Sequence, residues 1–142
     1  MADKLGPGGY NSTQSAINTM ILQMNDLEFQ RLQNSENEQY FGMQSSGEIE
    51  TIQNNYDPEI KYVRNEMHEA GDKTSNEYYE LMSELEELQE DRDSEIKRVE
   101  NETTDREKQF EIQDANLETR INAVKADKEA LEDAQKSDIQ RS

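Results

Sequence analysis

The sequence predicts an all-α fold, an extended coiled coil or helical hairpin with a long C-terminal helix. Three observations carry this expectation. Apolar residues make up 31% of the 142 residues and charged residues 34%, against an apolar share of roughly 45–50% in globular domains. Apolar side chains recur at three- and four-residue steps, the period of a helix that buries one stripe. From Asn76 onward there is no Gly or Pro. A single compact core would have to bury roughly two-thirds of the unfolded surface, and the apolar material for that is missing. A narrow seam between long helices, or disorder, is what such a composition allows, and the periodicity favours helices.

The elements follow in order. Residues 1–11 contain Gly6, Pro7, Gly8 and Gly9 and read as a flexible N-terminal arm. Ser12 or Thr13 is placed to cap a first apolar helix over 12–41. Its stripe is Ile17, Met20, Met24 and Leu27, broadened by Ile21, Leu22, Phe29 and Leu32. A helix apolar over so much of its circumference needs more than one neighbour. Gly42 and Gly47 bracket a hinge or turn at 42–47, and Ser45 with Glu48 matches a capping box. A second helical segment, 48–71, carries Ile49, Ile52, Tyr56, Ile60, Val63, Met67 and Ala70, with a kink expected near Asp57-Pro58.

Gly71 is a natural helix stop, and Thr74-Ser75-Asn76-Glu77 is a second capping-box match. The stripe nevertheless runs on through Met67, Ala70, Thr74, Tyr78, Leu81, Leu85 and Leu88, so either a short turn or one continuous helix satisfies it. Residues 72–142 read as a long acidic coiled-coil helix. At 1.5 Å per residue its unbroken part would reach roughly 100 Å. Ile96, Thr103, Phe110, Leu117, Val124 and Leu131 form a strict seven-residue row, with a half-polar companion row of Val99, Arg106, Gln113, Arg120, Asp127 and Ala134. Leu88, Val99, Phe110 and Ile121 also fall eleven apart, a spacing that straightens a supercoil. The predicted interaction seam is therefore Ile17, Met20, Ile21, Met24 and Leu27 on the first helix, with Leu81, Leu85, Leu88, Ile96, Phe110, Leu117, Val124 and Leu131 on the last.

Charge and composition exclude several classes of activity. The net charge is −18 at pH 7, with Asp+Glu 33 against Lys+Arg 15. Nucleic-acid binding needs cations that displace phosphate counterions, and anionic membranes need the same. With no Cys there is no disulfide, thiol chemistry or thiolate metal site. No apolar run approaches the length of a membrane span, and the first residues lack the pattern of a cleavable signal peptide. The expectation is a cytoplasmic protein, or one exported by a route that needs no signal peptide.

No cofactor and no enzyme chemistry are expected. His68 is the single histidine, so one chain cannot build a Ser/His/Asp triad or a two-histidine metal site. Asp91, Asp93, Glu95 and Glu102 approximate calcium-loop spacing, but Ile96 occupies the place of the required Gly. The acidic run from Glu84 to Glu95 surrounds Leu85 and Leu88, and paired carboxylates do acid–base work only beside a concave pocket. Asn11-Ser12-Thr13 and Asn101-Glu102-Thr103 match the glycosylation pattern without a signal peptide to give it meaning. Tyr56, Tyr62, Tyr78 and Tyr79 fall on or near seams and read as packing residues, with Tyr78 and Tyr79 as a protein-binding alternative.

The start Gly8-Gly9-Tyr10-Asn11-Ser12-Thr13-Gln14, the first apolar helix, the absence of Cys and Trp and the helical end Ala134–Ser142 together resemble secreted helical filament or translocator subunits of type III secretion and flagellar-type systems. The resemblance covers the two ends and is architectural. It implies self-assembly through helical seams. The chain departs from that pattern in lacking a variable middle domain and an apolar extreme C-terminus. The expected function is a structural coiled-coil protein that self-assembles into an oligomer or filament. The alternative is a helical adaptor or chaperone that binds another helical protein, or a basic one, through its apolar seams.

The seven-residue row makes a direct expectation. Large-to-small changes in a buried seam cost about 2–5 kcal/mol, so Leu117→Ala lowers the melting temperature visibly. Thermal unfolding followed by circular dichroism checks this, and an unchanged melt in Leu117→Ala combined with Leu131→Ala would remove the seam.

Overall fold

The computed structural model describes residues 7–141, and they form two helices, α1 (Pro7–Ala70, 64 residues) and α2 (Asn76–Arg141, 66 residues), with no strand among the described residues. The chain is all-α. No helix among the described residues is long and apolar enough to cross a membrane. The helices contribute to two compact units. Unit 1 takes the start of α1 up to Asn37 and α2 from Gln109 onward, and unit 2 is the stretch Glu38–Lys108 with the connecting turn.

Several predicted boundaries change. Residues 1–6 of the predicted arm lie outside the described residues, and Pro7–Asn11 are already helical. Pro at the first helical position loses nothing by lacking an N–H, since that donor has no partner there. Thr13 is therefore inside the helix, where its hydroxyl donates to the Gly9 carbonyl at 2.8 Å instead of capping.

The hinge predicted at 42–47 is helix without interruption. Each Gly costs about 1 kcal/mol relative to Ala in a helix interior, a local preference that burial on both sides outweighs. Ile52 is buried, Phe41 and Ile49 are half-buried, and the Arg106 guanidinium lies 5.4 Å from the Phe41 ring centroid. Ser45 is buried in mid-helix, not at a cap. α1 also continues through Pro58. That residue is exposed, so water can serve the carbonyl that its missing N–H leaves without a donor.

The real interruption is at Gly71, whose φ of 70° is the left-handed conformation that ends helices. The Asp72 amide donates to the Ala70 carbonyl at 2.7 Å. Asp72 Oδ1 then accepts from the Thr74 amide at 2.9 Å and from its hydroxyl at 2.7 Å. These bonds hold the Asp72 carboxyl below its ordinary pKa. Ser75, not Thr74, caps α2: its Oγ accepts from the Tyr78 amide at 3.1 Å. That is the N-cap to third-residue bond, which satisfies one orphan amide.

Within unit 2, Ile52, Ile60, Val63, Leu81 and Val99 are buried. Arg98 meets Glu48 at 3.6 Å, the Tyr56 hydroxyl donates to Glu95 at 3.1 Å, and Arg92 meets Asp57 at 3.4 Å. Numbers rise along α1 as they fall along α2, so the two segments of this unit run in opposite directions. Within unit 1, Ile17, Leu27, Phe110 and Leu117 are buried. Asn34 reaches Phe110, Arg31 reaches Asp114, and Gln14 pairs with Gln135, again in opposite directions.

A glycine inside a helix invites a stability test whose sign depends on the fold. A Cβ at Gly47 would meet nothing within 4 Å, so Gly47→Ala adds helix propensity without a clash. The substitution raises stability by about 0.5–1 kcal/mol. A denaturant titration that shows Gly47→Ala less stable than the wild type places a turn, not a helix, at 42–47.

Candidate interaction surfaces

Each helix presents an inner stripe. On α1 of unit 1 the inward positions are Thr13, Ile17, Met20, Met24, Leu27, Arg31 and Asn34, two interleaved seven-residue rows. On α2 of the same unit they are Phe110, Asp114, Leu117, Ile121, Val124, Lys128, Leu131 and Gln135. Here Ile17, Leu27, Phe110 and Leu117 are buried, while Met20, Met24, Val124 and Leu131 are half-buried. In unit 2 Leu81 is buried, and Leu85, Leu88 and Ile96 are half-buried. Ile21 is not in the stripe; it is 39% exposed on the outer side of α1.

The companion row on α2 is also corrected. Arg106, Gln113, Arg120, Asp127 and Ala134 are exposed, and the inward partners of the Phe110 row are Asp114, Ile121, Lys128 and Gln135. The chain steps four residues from Phe110 to its companion and then three to Leu117. Ile121, four after Leu117, was the signal in the sequence for that order. The polar character of the other three hid it.

Polar groups set the register of unit 1. The Arg31 guanidinium donates to both Asp114 oxygens, at 2.7 and 3.1 Å, and stands 3.6 Å from Glu118. Such a two-pronged contact fixes orientation as well as position. Three residues on, Asn34 is buried, and its Nδ2 donates to the Phe110 carbonyl at 3.1 Å. A buried amide costs stability unless its bond is made; because this acceptor is a main-chain carbonyl, which recurs one turn away, the side-chain pair Arg31–Asp114 is the contact specific to one register. Sequence reasoning missed Arg31, Asn34 and Asp114 because its seams were traced through apolar residues, and it read the buried Thr13 and Ser45 as caps.

Electrostatics add two directions. The hydrogen bond from Arg31, then its charge, holds the Asp114 carboxyl below its ordinary pKa against the opposing effect of burial. In unit 2 partial burial and then the Glu95 hydrogen bond push the Tyr56 hydroxyl up. Asp91, Asp93 and Glu95 lie on continuous helix, where Arg92 pairs with Asp57 and Asp93. His68 is exposed in the last turn of α1. Among the described residues, no group of three or more His, Asp or Glu side chains is placed to hold a metal ion.

Other apolar side chains are exposed. Ile21, Leu22, Phe29 and Leu32 lie on α1 of unit 1, with Ile112 and Ile139 on its α2 segment; Tyr40, Met43, Tyr62 and Tyr79 belong to unit 2. The first four fall at spacings that share one helical face. Comparison with protein-family models, with curated proteins and with solved structures gave no match.

The Arg31–Asp114 contact has a pH signature. Because the folded-state pKa of Asp114 is depressed, its contribution is fully present above the ordinary carboxylate value and is lost as pH falls through the folded value. The melting temperature of wild type should therefore exceed that of Asp114→Asn at neutral pH. The gap should close below about pH 4, and a gap that stays constant from pH 7 to about pH 3 would deny the carboxylate this role.

Proposed function

We propose that this chain is a structural coiled-coil protein, a helical hairpin about the turn at Gly71, that self-assembles into an oligomer or filament. The observation that carries the reading is the double apolar character of α1. One stripe, with Ile17 and Leu27, is buried within its unit, while a separate row on the outer side, with Leu22, Phe29 and Leu32, is exposed. Exposed contiguous apolar surface on a helix is ordinarily an association face. The seven-residue rows of unit 1 suit a left-handed supercoil. The steps Phe41, Ser45, Ile49, Ile52 and Leu88, Arg92, Ile96, Val99 in unit 2 span eleven residues and suit straighter packing. The likeness in outline to secretion-system and flagellar subunits supports the same reading.

A helical adaptor for a basic protein is the second reading. Its support is the concentration of acidic residues in unit 2, including Glu84, Glu86, Glu87, Glu90, Asp91, Asp93 and Glu95. The two readings respond to salt in opposite ways. At a net charge of −18 copies of this chain repel one another, and about 1 M salt shortens the screening length to roughly 3 Å. Self-assembly driven by apolar contact strengthens as salt rises, whereas capture of a basic partner weakens. Sedimentation velocity of the purified chain across salt concentrations, with negative-stain microscopy of the largest species, tests the proposal. Assembly that dissolves at high salt, or a chain that stays monomeric throughout, would overturn it.

A further inference from the structure

Charge is distributed unevenly along this chain, and the unevenness coincides with the exposed apolar face. Between Lys4 and Asp26 there is no Asp, Glu, Lys or Arg, in a chain where 34% of residues are charged. Most of the net negative charge falls in unit 2. Immediately within and after the neutral stretch, Ile21, Leu22, Phe29 and Leu32 are 39%, 68%, 57% and 56% exposed. Steps of one, seven and three place them on one face of α1, away from the buried stripe of Ile17, Leu27 and Asn34. Two copies carrying the same net charge repel along most of their length. They can approach most closely where the charge is absent and apolar surface is waiting.

Resting on the self-assembly proposed above, we infer that the Ile21–Leu32 face of α1 is where a second copy of this chain docks, antiparallel, about the midpoint between Asn25 and Asp26. Leu22 and Phe29 are equidistant from that midpoint, so an antiparallel copy sets Leu22 of each chain against Phe29 of the other. The same alignment puts Glu28 level with Gln23, and it leaves Asp26 within one residue's rise, about 1.5 Å along the axis, of its own copy. A parallel alignment in register would instead bring Glu28 against Glu28 and Asp26 against Asp26, which like charge disfavours. A second copy thus sets Leu22 against Phe29 twice over, and it brings one like-charge approach, Asp26 with Asp26, where the parallel alignment brings two. A highly basic partner would gain little here, because the face offers it so few acids.

The full-length chain permits a clean test, because Leu22, Phe29 and Asn25 are exposed and their replacement leaves the buried stripe intact. Sedimentation equilibrium of wild type and of Leu22→Glu with Phe29→Glu compares self-association, and circular dichroism confirms equal helix content. The double variant should associate at least tenfold more weakly. The chain has no Cys, so Asn25→Cys should form a disulfide-linked dimer on oxidation, while Lys97→Cys, exposed in unit 2, should not. If wild type associates and the double variant associates as tightly, this docking face is wrong while self-assembly stands. Cross-linking through Lys97→Cys but not Asn25→Cys overturns it in the same way. A wild-type chain that stays monomeric to about 1 mM sinks both, as does a monomer whose Leu22 and Phe29 face binds a different protein.

Discussion

Burial in each unit is confined to one stripe per helix, and most other features are placed by that stripe. With apolar residues at 31%, a thick core is out of reach. Each buried side chain contributes roughly 1.5–3 kcal/mol only while it stays opposite another apolar residue. Stability therefore depends on register more than on volume. Val99, 1% exposed in unit 2, and Ile17, 3% exposed in unit 1, would both face water after a small rotation of their helices. Polar residues on the inner stripe guard against sliding. Arg31 with Asp114 bonds well in one alignment, the role a polar residue within an apolar seam plays in specifying helical pairs.

Much of this was legible in the sequence, because the apolar rows are periodic. The rows through Ile17, Met24 and Leu27 and through Phe110, Leu117, Val124 and Leu131 could be read directly, and the all-α class followed. Local punctuation misled. Gly42, Gly47 and Ser45 carry turn and cap chemistry, yet their preferences amount to about 1 kcal/mol apiece against a stripe continuing from Phe41 through Ile49 to Ile52. The turn at Gly71 was left undecided because the apolar spacing runs from Met67 to Leu81 without a phase error. What ends the helix there is a backbone conformation, φ of 70°, which periodicity does not record. The inward polar residues were hidden for a different reason: Lys128 and Gln135 can bury their stems and keep their heads wet, and Asp114 is drawn inward by its pairing with Arg31.

Placement of the neutral segment and the acidic segment along one chain bears on solubility as well as contact. The crowded carboxylates of unit 2, from Glu84 to Glu95, keep that region hydrated and discourage lateral clumping. The apolar outer face of α1 lies in the part of the sequence where such protection is weakest. Salt bridges do little to offset the charge imbalance, since pairs such as Arg98 with Glu102 at 3.1 Å are exposed on both sides, where they contribute little.

The turn at Gly71 has an entropic meaning too. In unit 2 the contacts nearest it close short loops: Asp57 and Arg92 are 35 residues apart, Tyr56 and Glu95 are 39. In unit 1 the separations are 76 for Asn34 and Phe110, 83 for Arg31 and Asp114, and 121 for Gln14 and Gln135. Loop-closure entropy rises with separation, so closing the contacts of unit 2 sacrifices less chain freedom than closing those of unit 1. The Arg31–Asp114 contact thus belongs to the unit whose closures are the more demanding, where a bond specific to one register matters most.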